Sequence, residues 1–334
     1  MQKLMIYGAT GYTGRMVTER AHAAGLSLVL GGRTLTSLNK LGEQLGIACN
    51  TFTLSESSAI DTALAGVSAV LNCAGPYMDT ASPLMRAAIR SGVHYLDIAA
   101  ELDSYRLAIE LDENAKAAGV MLLPGSGGSV AMLGCLAGHA AARVENPSKV
   151  AVALRVAGSM SRGSAISASR NLVTETLTLH GGRLTPRPAG ETALFDFGQG
   201  ELSCFAVTLP DIITIGRSTG IPDVETYVYV SGNAFPEGDL AALLDGPDAA
   251  EREANRYQAA VAVTAAGGRI ARSVLDTVNG YSFTSMAAAE AAKRVLAGEV
   301  RAGFQTPAGL FGSGFAETIA DTHIIDLPLA YKER

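Results

Sequence analysis

Short apolar runs alternate with helix-spaced apolar positions through the first third of the chain. Residues 4–7 (LMIY) read as a buried strand that passes at once into Gly8-Ala-Thr-Gly11-Tyr-Thr-Gly14 and a helical pattern. Residues 28–32 (LVLGG) form a second apolar run, and Leu35, Leu38, Leu41 and Leu45 then recur at helical spacing up to Gly46. The same reading predicts strands over 50–54, 67–73, 93–98 and 120–123. Helices are predicted from Ser57 to before Gly66, from a Ser82-Pro83 start to Gly92, and over 103–118. Six strands joined by helical crossovers predict an α/β, Rossmann-type doubly wound parallel sheet, with ligands at the carboxyl ends of its strands.

The pattern changes after Gly125. A glycine–serine turn over 126–129 leads to an Ala/Leu-rich helix over 130–142, broken at Asn146-Pro147. Strands are expected over 150–156, 193–197, 203–209, 226–230 and 269–278. Helices are expected over 165–179 and 282–297, one or two more over 239–265 broken at Gly246-Pro247, and a polar loop over 181–190. Strands without regular crossover helices predict a second, mixed α+β domain. The expected organisation is a dinucleotide-binding domain over 1–128 and a substrate and dimerisation domain over 129–300. A segment over 301–334 is expected to return to the nucleotide domain. The TYVYV run at 226–230 is the expected sheet contact of a homodimer.

Composition narrows the function classes. A chain of 334 residues with 48% hydrophobic and 17% charged residues has the material for two globular cores. A net charge of −6 without a Lys/Arg cluster argues against a nucleic-acid partner. Cys49, Cys73, Cys135 and Cys204 lie far apart with no histidine at ligand spacing, so no metal site or disulfide is expected. No apolar run reaches membrane-span length, and Lys3 opens a strand rather than a leader, so the cytoplasm is the expected location.

The glycine turn is the strongest chemical signal. A strand, a tight turn and a helix N-terminus present N–H groups and a positive dipole end to a pyrophosphate. Gly8 serves the sharp turn, Gly11 the backbone approach, and Gly14 the packing of helix on strand. Where an NAD site carries an acid after the second strand, this chain has Arg33, whose guanidinium suits a 2′-phosphate and points to NADP. The plain alternative is a solvated arginine closing the strand. Asp97 at the end of the fifth strand and Glu101 one short loop later are candidates for a general acid or an ammonium contact. Helix capping or a salt bridge is their alternative. Ser126, Gly127, Gly128 and Ser129 precede a helix and form a candidate site for a carboxylate or carbonyl oxygen, with capping as the alternative. Arg162, in a similar turn of the second domain, is a candidate carboxylate contact. No tyrosine has a lysine four residues later, which argues against a short-chain dehydrogenase mechanism.

GATGYTG with Gly-Gly-Arg33, LNCAGPY, GVHYLDIAAE, LPGSGGS and the late GYSFTSMAAAEAAKRVLAGEVRAGFQTPA occur in an order and spacing that resemble the saccharopine dehydrogenase-like oxidoreductases, including the trans-acting enoyl reductase group. The resemblance spans nearly the whole chain. It implies that Gly8, Thr10, Gly11, Tyr12, Thr13 and Gly14 wrap the pyrophosphate of NADP, and that Arg33 and Thr34 hold its 2′-phosphate. It further implies that Cys73, Ala74, Gly75 and Pro76 bring backbone to the nicotinamide side. Tyr77 follows as a candidate phenol for the substrate or as a packed loop aromatic. Tyr281 opens the late helix and is placed on the substrate side. The reductase group carries a Gly-Phe-Asp-Ser-x-Pro-like stretch where this chain has Pro124 to Ser129, a departure on the substrate-lining turn that leaves the substrate open.

The expected function is therefore an NADP(H)-dependent oxidoreductase. It would move a hydride to or from a small carbonyl, imine or enoyl substrate in an interdomain cleft, with Tyr77, Asp97 and Glu101 as candidate catalytic groups. The alternative is a non-catalytic NADP(H)-binding redox sensor.

Overall fold

The computed structural model describes residues 2–170, 176–188, 190–231, 239–240 and 243–331. The chain divides into two compact units, one of residues 1–128 with 284–305, the other of 129–283 with 306–334. The first unit begins β1 (Leu4–Tyr7), α1 (Tyr12–Ala23), β2 (Leu28–Gly32), α2 (Leu35–Leu45), β3 (Ala48–Thr51), α3 (Ser57–Leu64) and β4 (Ala69–Asn72). It continues α4 (Tyr77–Ser91), β5 (His94–Asp97), α5 (Leu102–Glu110), α6 (Asp112–Ala117) and β6 (Met121–Leu123). Among the described residues its sheet has seven strands, ordered Gly303–Phe304, β6, β5, β4, β1, β2, β3. Every pairing is parallel. All four residues of β1 and of β4 are buried, which is why these strands read as unbroken apolar runs: helices cover both faces of a parallel sheet. Chain direction across the sheet reverses between β1 and β4, the switch point where open α/β sheets take ligands. This is the doubly wound, Rossmann-type fold the sequence predicts.

Two local expectations change. The fourth helix starts at Tyr77, not at Ser82-Pro83, and Pro83 sits inside it. Proline resembles a first-turn residue in sequence, yet burial of Tyr77, Ala81, Leu84 and Met85 on one face carries the helix through it. The predicted helix over 103–118 is divided at Leu111 into α5 and α6.

The second unit follows with α7 (Gly128–Ala141), β7 (Pro147–Ala157), α8 (Arg162–Arg170), β8 (Thr176–His180), β9 (Arg183–Arg187), β10 (Thr192–Asp196), β11 (Glu201–Ala206) and α9 (Asp211–Thr219). After these come β12 (Asp223–Ser231), α10 (Ala249–Ala254), β13 (Tyr257–Ala265), β14 (Arg269–Thr277), α11 (Gly280–Leu296, from Thr284 on in the first unit), β15 (the Gly303–Phe304 strand of the first sheet), α12 (Pro307–Phe311) and β16 (His323–Tyr331). The second sheet runs β10-β11-β12-β7-β13-β14-β16, with β8 and β9 attached through β12. Only the β12–β7 pairing and the first sheet's pairings are parallel among the described residues.

Several expectations for this half are corrected. The helix expected over 165–179 ends at Arg170, and 176–180 is a strand; the residues between lie outside those described. The expected loop over 181–190 holds β9, joined to β8 by Gly181-Gly182, both at positive φ (54° and 75°). That is the backbone a two-residue hairpin turn demands. The stretch 257–265, expected as helix, is β13, a central strand flanked by β7 and β14. Its alanines are there for close packing between neighbours. The helix α9 was not anticipated. TYVYV lies in β12, which has β11 on one side and β7 on the other, so it offers no edge to a second copy. The segment 301–334 divides. Gly303–Phe304 joins the first sheet, whereas His323–Tyr331 pairs with β14 in the second.

One buried group in this unit stands out. Asp211, the first residue of α9, is fully buried and neither carboxyl oxygen has a hydrogen-bond partner among the described residues. Burial pushes its carboxyl up to about 7. The folded state therefore holds a proton that the unfolded chain releases near 3.8. Stability falls by about 1.4 kcal/mol per pH unit as pH rises from 4 to 7, and the cost is complete above 7. Asp211→Asn carries no charge, so its advantage over the parent in urea unfolding should be larger at pH 8 than at pH 5. An equal difference at both pH values would show that Asp211 does not titrate in this window.

Candidate functional site

The strand registers bring Gly31, Tyr7, Asn72 and Asp97 into one row at the carboxyl edge of the first sheet. Above that row sits the glycine turn. Gly8 has φ +81°, and a Cβ there would lie 2.7 Å from the Ala74 nitrogen. A Cβ on Gly14 would strike the Gly8 carbonyl oxygen. Both positions therefore require glycine for backbone contact. At Gly11 the space is ordinary, and its extended φ of −69° suits any residue, so its demand comes from what lies in front of the turn. The helix α1 opens at Gly11 with no side-chain cap. Thr10, Tyr12 and Thr13 complete the turn and the first turn of the helix. These residues fit a dinucleotide pyrophosphate: a glycine turn in front of a helix N-terminus that no side chain caps.

Arg33 leaves β2 at the same edge. It is exposed, and among the described residues it makes no hydrogen bond or ion pair. Its charge reaches the buried Tyr7 phenol, which burial pushes up and Arg33 draws down; the Tyr7 hydroxyl has no partner. Thr34 beside it is exposed and makes no cap bond to α2. An arginine without an acidic partner, next to a free hydroxyl, suits a phosphate.

The loop after β4 is held from below. Asn72 accepts from the Ala74 N–H (3.0 Å) and donates to the Thr80 hydroxyl (3.0 Å) and to the Tyr95 oxygen (3.3 Å). Thr80 donates to the Ala74 carbonyl (2.6 Å). The Gly75–Pro76 peptide is cis. Burial pushes the Cys73 thiol well above its ordinary range, with the Asp97 charge adding to the effect, so it is no thiolate nucleophile.

The candidate acids occupy different positions. Asp97 is wholly buried. One carboxyl oxygen accepts from the Ala99 and Gly125 N–H groups (2.9 and 2.8 Å), the other from the Tyr95 hydroxyl (2.8 Å). Burial pushes its carboxyl up to about 6 against those three donors. Glu101 is nearly buried and accepts from the Met78 N–H (2.9 Å), closing the N-terminus of α4 with a carboxylate. Tyr77 is 8% exposed. Burial, with Cys73, Asp97 and Glu101 close by, raises its phenol well above the ordinary value. These three thus lie together in the first unit, but Asp97 is an internal anchor rather than a group open to substrate.

Ser126 is likewise fully buried, its N–H and hydroxyl both donating to the Asp97 carbonyl (2.7 and 2.8 Å). A Cβ on Gly127 would lie 2.7 Å from the Thr284 carbonyl oxygen, and Gly128 and Ser129 begin α7. In the second unit Arg162 pairs with Asp245, and the Tyr281 hydroxyl accepts from the Ser161 N–H (2.7 Å) and donates to Ser164 (3.1 Å). Both are engaged in holding the start of α8. Sequence reasoning missed Asn72, Thr80 and Tyr95. Asn72 and Tyr95 signalled only as polar positions inside runs that read as buried strand, and Thr80 fell before the predicted helix start and gave no signal. Among the described residues no group of three or more His, Cys, Asp or Glu is placed to hold a metal, and no helix is long and apolar enough to cross a membrane.

Residues 4–123 match the model of the saccharopine dehydrogenase NADP binding domain family. Over 144 residues the chain is 27% identical to a human saccharopine dehydrogenase-like oxidoreductase, a match covering 37% of this chain and 34% of the relative. A trans-acting enoyl reductase of Mycobacterium leprae is 29% identical over 122 residues, covering 34% of this chain and 29% of the relative. The chain thus matches about a third of the length of these relatives. The apo saccharopine dehydrogenase (L-Glu forming) of Saccharomyces cerevisiae has the same fold across both units. Its TM-score is 0.67 at 13% identity, covering 98% of this chain and 100% of that one.

Removing the Asp97 carboxylate would strand three buried donors. Asp97→Ala should cost about 3 kcal/mol or more in urea unfolding, at roughly 1–3 kcal/mol for each unsatisfied buried group. A loss below about 1 kcal/mol would contradict the anchor role.

Proposed function

We propose that this chain is an NADP(H)-dependent oxidoreductase that transfers a hydride to or from a small carbonyl, imine or enoyl substrate. One observation carries the reading. The uncapped N-terminus of α1, behind a turn that excludes Cβ atoms, stands beside an unpaired Arg33 at the end of the next strand. The turn from Gly8 to Gly14 would hold the pyrophosphate, Arg33 and Thr34 the 2′-phosphate, and the Cys73 to Pro76 backbone the nicotinamide half. When bound, NADPH supplies the hydride. The chain's own part is to orient the reactants and to hold a proton near the carbon's neighbouring heteroatom or enolate.

Tyr77 is the candidate for that proton. Asp97 already accepts from three donors, and Glu101 closes α4. The surroundings of Tyr77 keep its phenol protonated, so it suits a donor and not a base. The exposed Ile325, Leu329 and Tyr331 on edge strand β16 support a homodimer, and four free cysteines support a reducing cytoplasm.

The engagement of Asp97, Ser126, Arg162 and Tyr281 within the protein favours a second reading, a non-catalytic NADP(H) sensor. A panel of keto acids, imines and enoyl esters followed by NADPH absorbance separates the two. Tight NADPH binding without turnover of any member supports the sensor.

NADPH should bind about ten- to a hundredfold more tightly than NADH, the value of a charge-assisted phosphate contact. Arg33→Ala should remove most of that preference and leave NADH binding nearly unchanged. Gly11→Val should stay folded by circular dichroism, since its backbone and space admit a side chain, yet lose NADPH binding. Equal titrations of the parent with both cofactors would refute the 2′-phosphate assignment. A folded Gly11→Val variant with normal affinity would place the phosphates elsewhere.

A further inference from the structure

Ala74 is held on several sides at the carboxyl edge. Its N–H donates to Asn72 Oδ1 (3.0 Å), and its carbonyl accepts from the Thr80 hydroxyl (2.6 Å). Gly8 presses against it so closely that a Cβ there would lie 2.7 Å from its nitrogen. Asn72 joins these contacts to a second set. Its amide nitrogen donates to the Thr80 hydroxyl (3.0 Å) and to the Tyr95 oxygen (3.3 Å), Tyr95 donates to Asp97 (2.8 Å), and Asp97 accepts from Ala99 and Gly125. One hydrogen-bonded chain thus runs from the turn after β6, through β5 and β4, to the loop beside the phosphate turn. Asn72, Tyr95 and Asp97 are fully buried, so the links among them lie where water does not reach, while those to Ala74 and Thr80 are part-buried.

The topology gives this chain a direction. Arg33 marks the β2 side of the α1 N-terminus as the end for a 2′-phosphate. A dinucleotide lying across the switch point then extends its other half over β4, where Ala74 stands. We infer that Asn72, acting through Thr80 and Tyr95, is a positioning residue that sets the Ala74–Pro76 backbone for the nicotinamide half of the cofactor, leaving the phosphate grip to α1 and Arg33. This rests on the NADP(H) reading.

The test compares two ligands on the full chain by calorimetry: NADPH, and 2′-phospho-ADP-ribose, which lacks the nicotinamide ring. Thr80→Val removes the hydroxyl at nearly constant volume, and Tyr95→Phe removes the central oxygen. Thr80→Ser restores the hydroxyl. Each valine or phenylalanine variant should bind NADPH about three- to tenfold more weakly, the effect of one or two hydrogen bonds. Each should bind 2′-phospho-ADP-ribose within about twofold of the parent. Thr80→Ser should recover the parent NADPH affinity. Bound-NADPH fluorescence, excited in the dihydronicotinamide band, reports the ring's surroundings, and its emission should shift in Thr80→Val and return in Thr80→Ser. Equal weakening for both ligands would make the chain of bonds merely structural and overturn the inference. Unchanged NADPH affinity in both variants, or a parent that binds the two ligands alike, would overturn it as well. A folded parent that binds neither ligand would refute the NADP(H) reading itself, an outcome distinct from these.

Discussion

The carboxylate of Asp97 sits at the centre of the first unit's ligand edge, and the rest of that edge depends on where it is held. It is buried without a counter-ion, and burial drives its carboxyl up toward about 6. It persists because two backbone N–H groups and a phenol donate to it. Those donors come from the loop after β5, the turn after β6, and β5 itself. Ser126 adds two bonds to the Asp97 carbonyl. One side chain and its own carbonyl therefore fix the exit of two strands, and through Tyr95 and Asn72 the exit of a third. A row of parallel strands leaves its loops with no sheet bonds of their own. Here a buried polar network supplies them instead, and every member found has a partner.

That arrangement explains which parts of the site the sequence reveals. Gly8 and Gly14 are legible because a backbone that touches backbone admits no Cβ, and only glycine meets that need. Arg33 is legible because its place after β2 is fixed by the strand's length. Asp97 is half legible. Its position at the rim follows from the apolar run before it, but a carboxylate at a strand end reads the same whether open to a ligand or sealed under two turns. Asn72, Thr80 and Tyr95 are illegible one by one, because their meaning is a meeting of β4, α4 and β5 that no local pattern encodes.

The fold shows the same division. The strands of the first unit were readable because each is an apolar run closed by a helix pattern, and each crossover is local. In the second unit the Ala-rich β13 has a helical composition, yet it lies between β7 and β14, where small side chains let neighbours pack closely. Its strand identity comes from partners more than a hundred residues away on one side and from the β14 turn on the other. β16 pairs with β14 across a long excursion of chain, and nothing near His323 announces it. At Gly181-Gly182 a local signal does exist, but it is ambiguous, since two adjacent glycines suit a tight hairpin turn as well as a loop.

Charge at the helix ends gives the edge its polarity. Two helices, α1 and α4, open onto the switch point, and each N-terminus would attract an anion. At α4 the protein has supplied its own anion, since the nearly buried Glu101 accepts from the Met78 N–H. A second phosphate there would have to displace a carboxylate already held by the dipole. At α1 no side chain caps the helix, and the residues in front of it are small. Of the two helices at the switch point, α1 alone therefore keeps an open positive pole, and Arg33 extends that pole toward β2. A ligand with phosphates at its middle and at one end can satisfy both positive groups in a single orientation. Its uncharged end is then left on the β4 side, over a loop whose backbone is fixed by Asn72 and Thr80 and beside the carboxylate of Glu101. The sealed acid at Asp97 and the plugged helix at α4 thus act in the same sense. They remove competing places for charge, so that on the proposed reading the direction of binding would be set by what the edge refuses as much as by what it accepts.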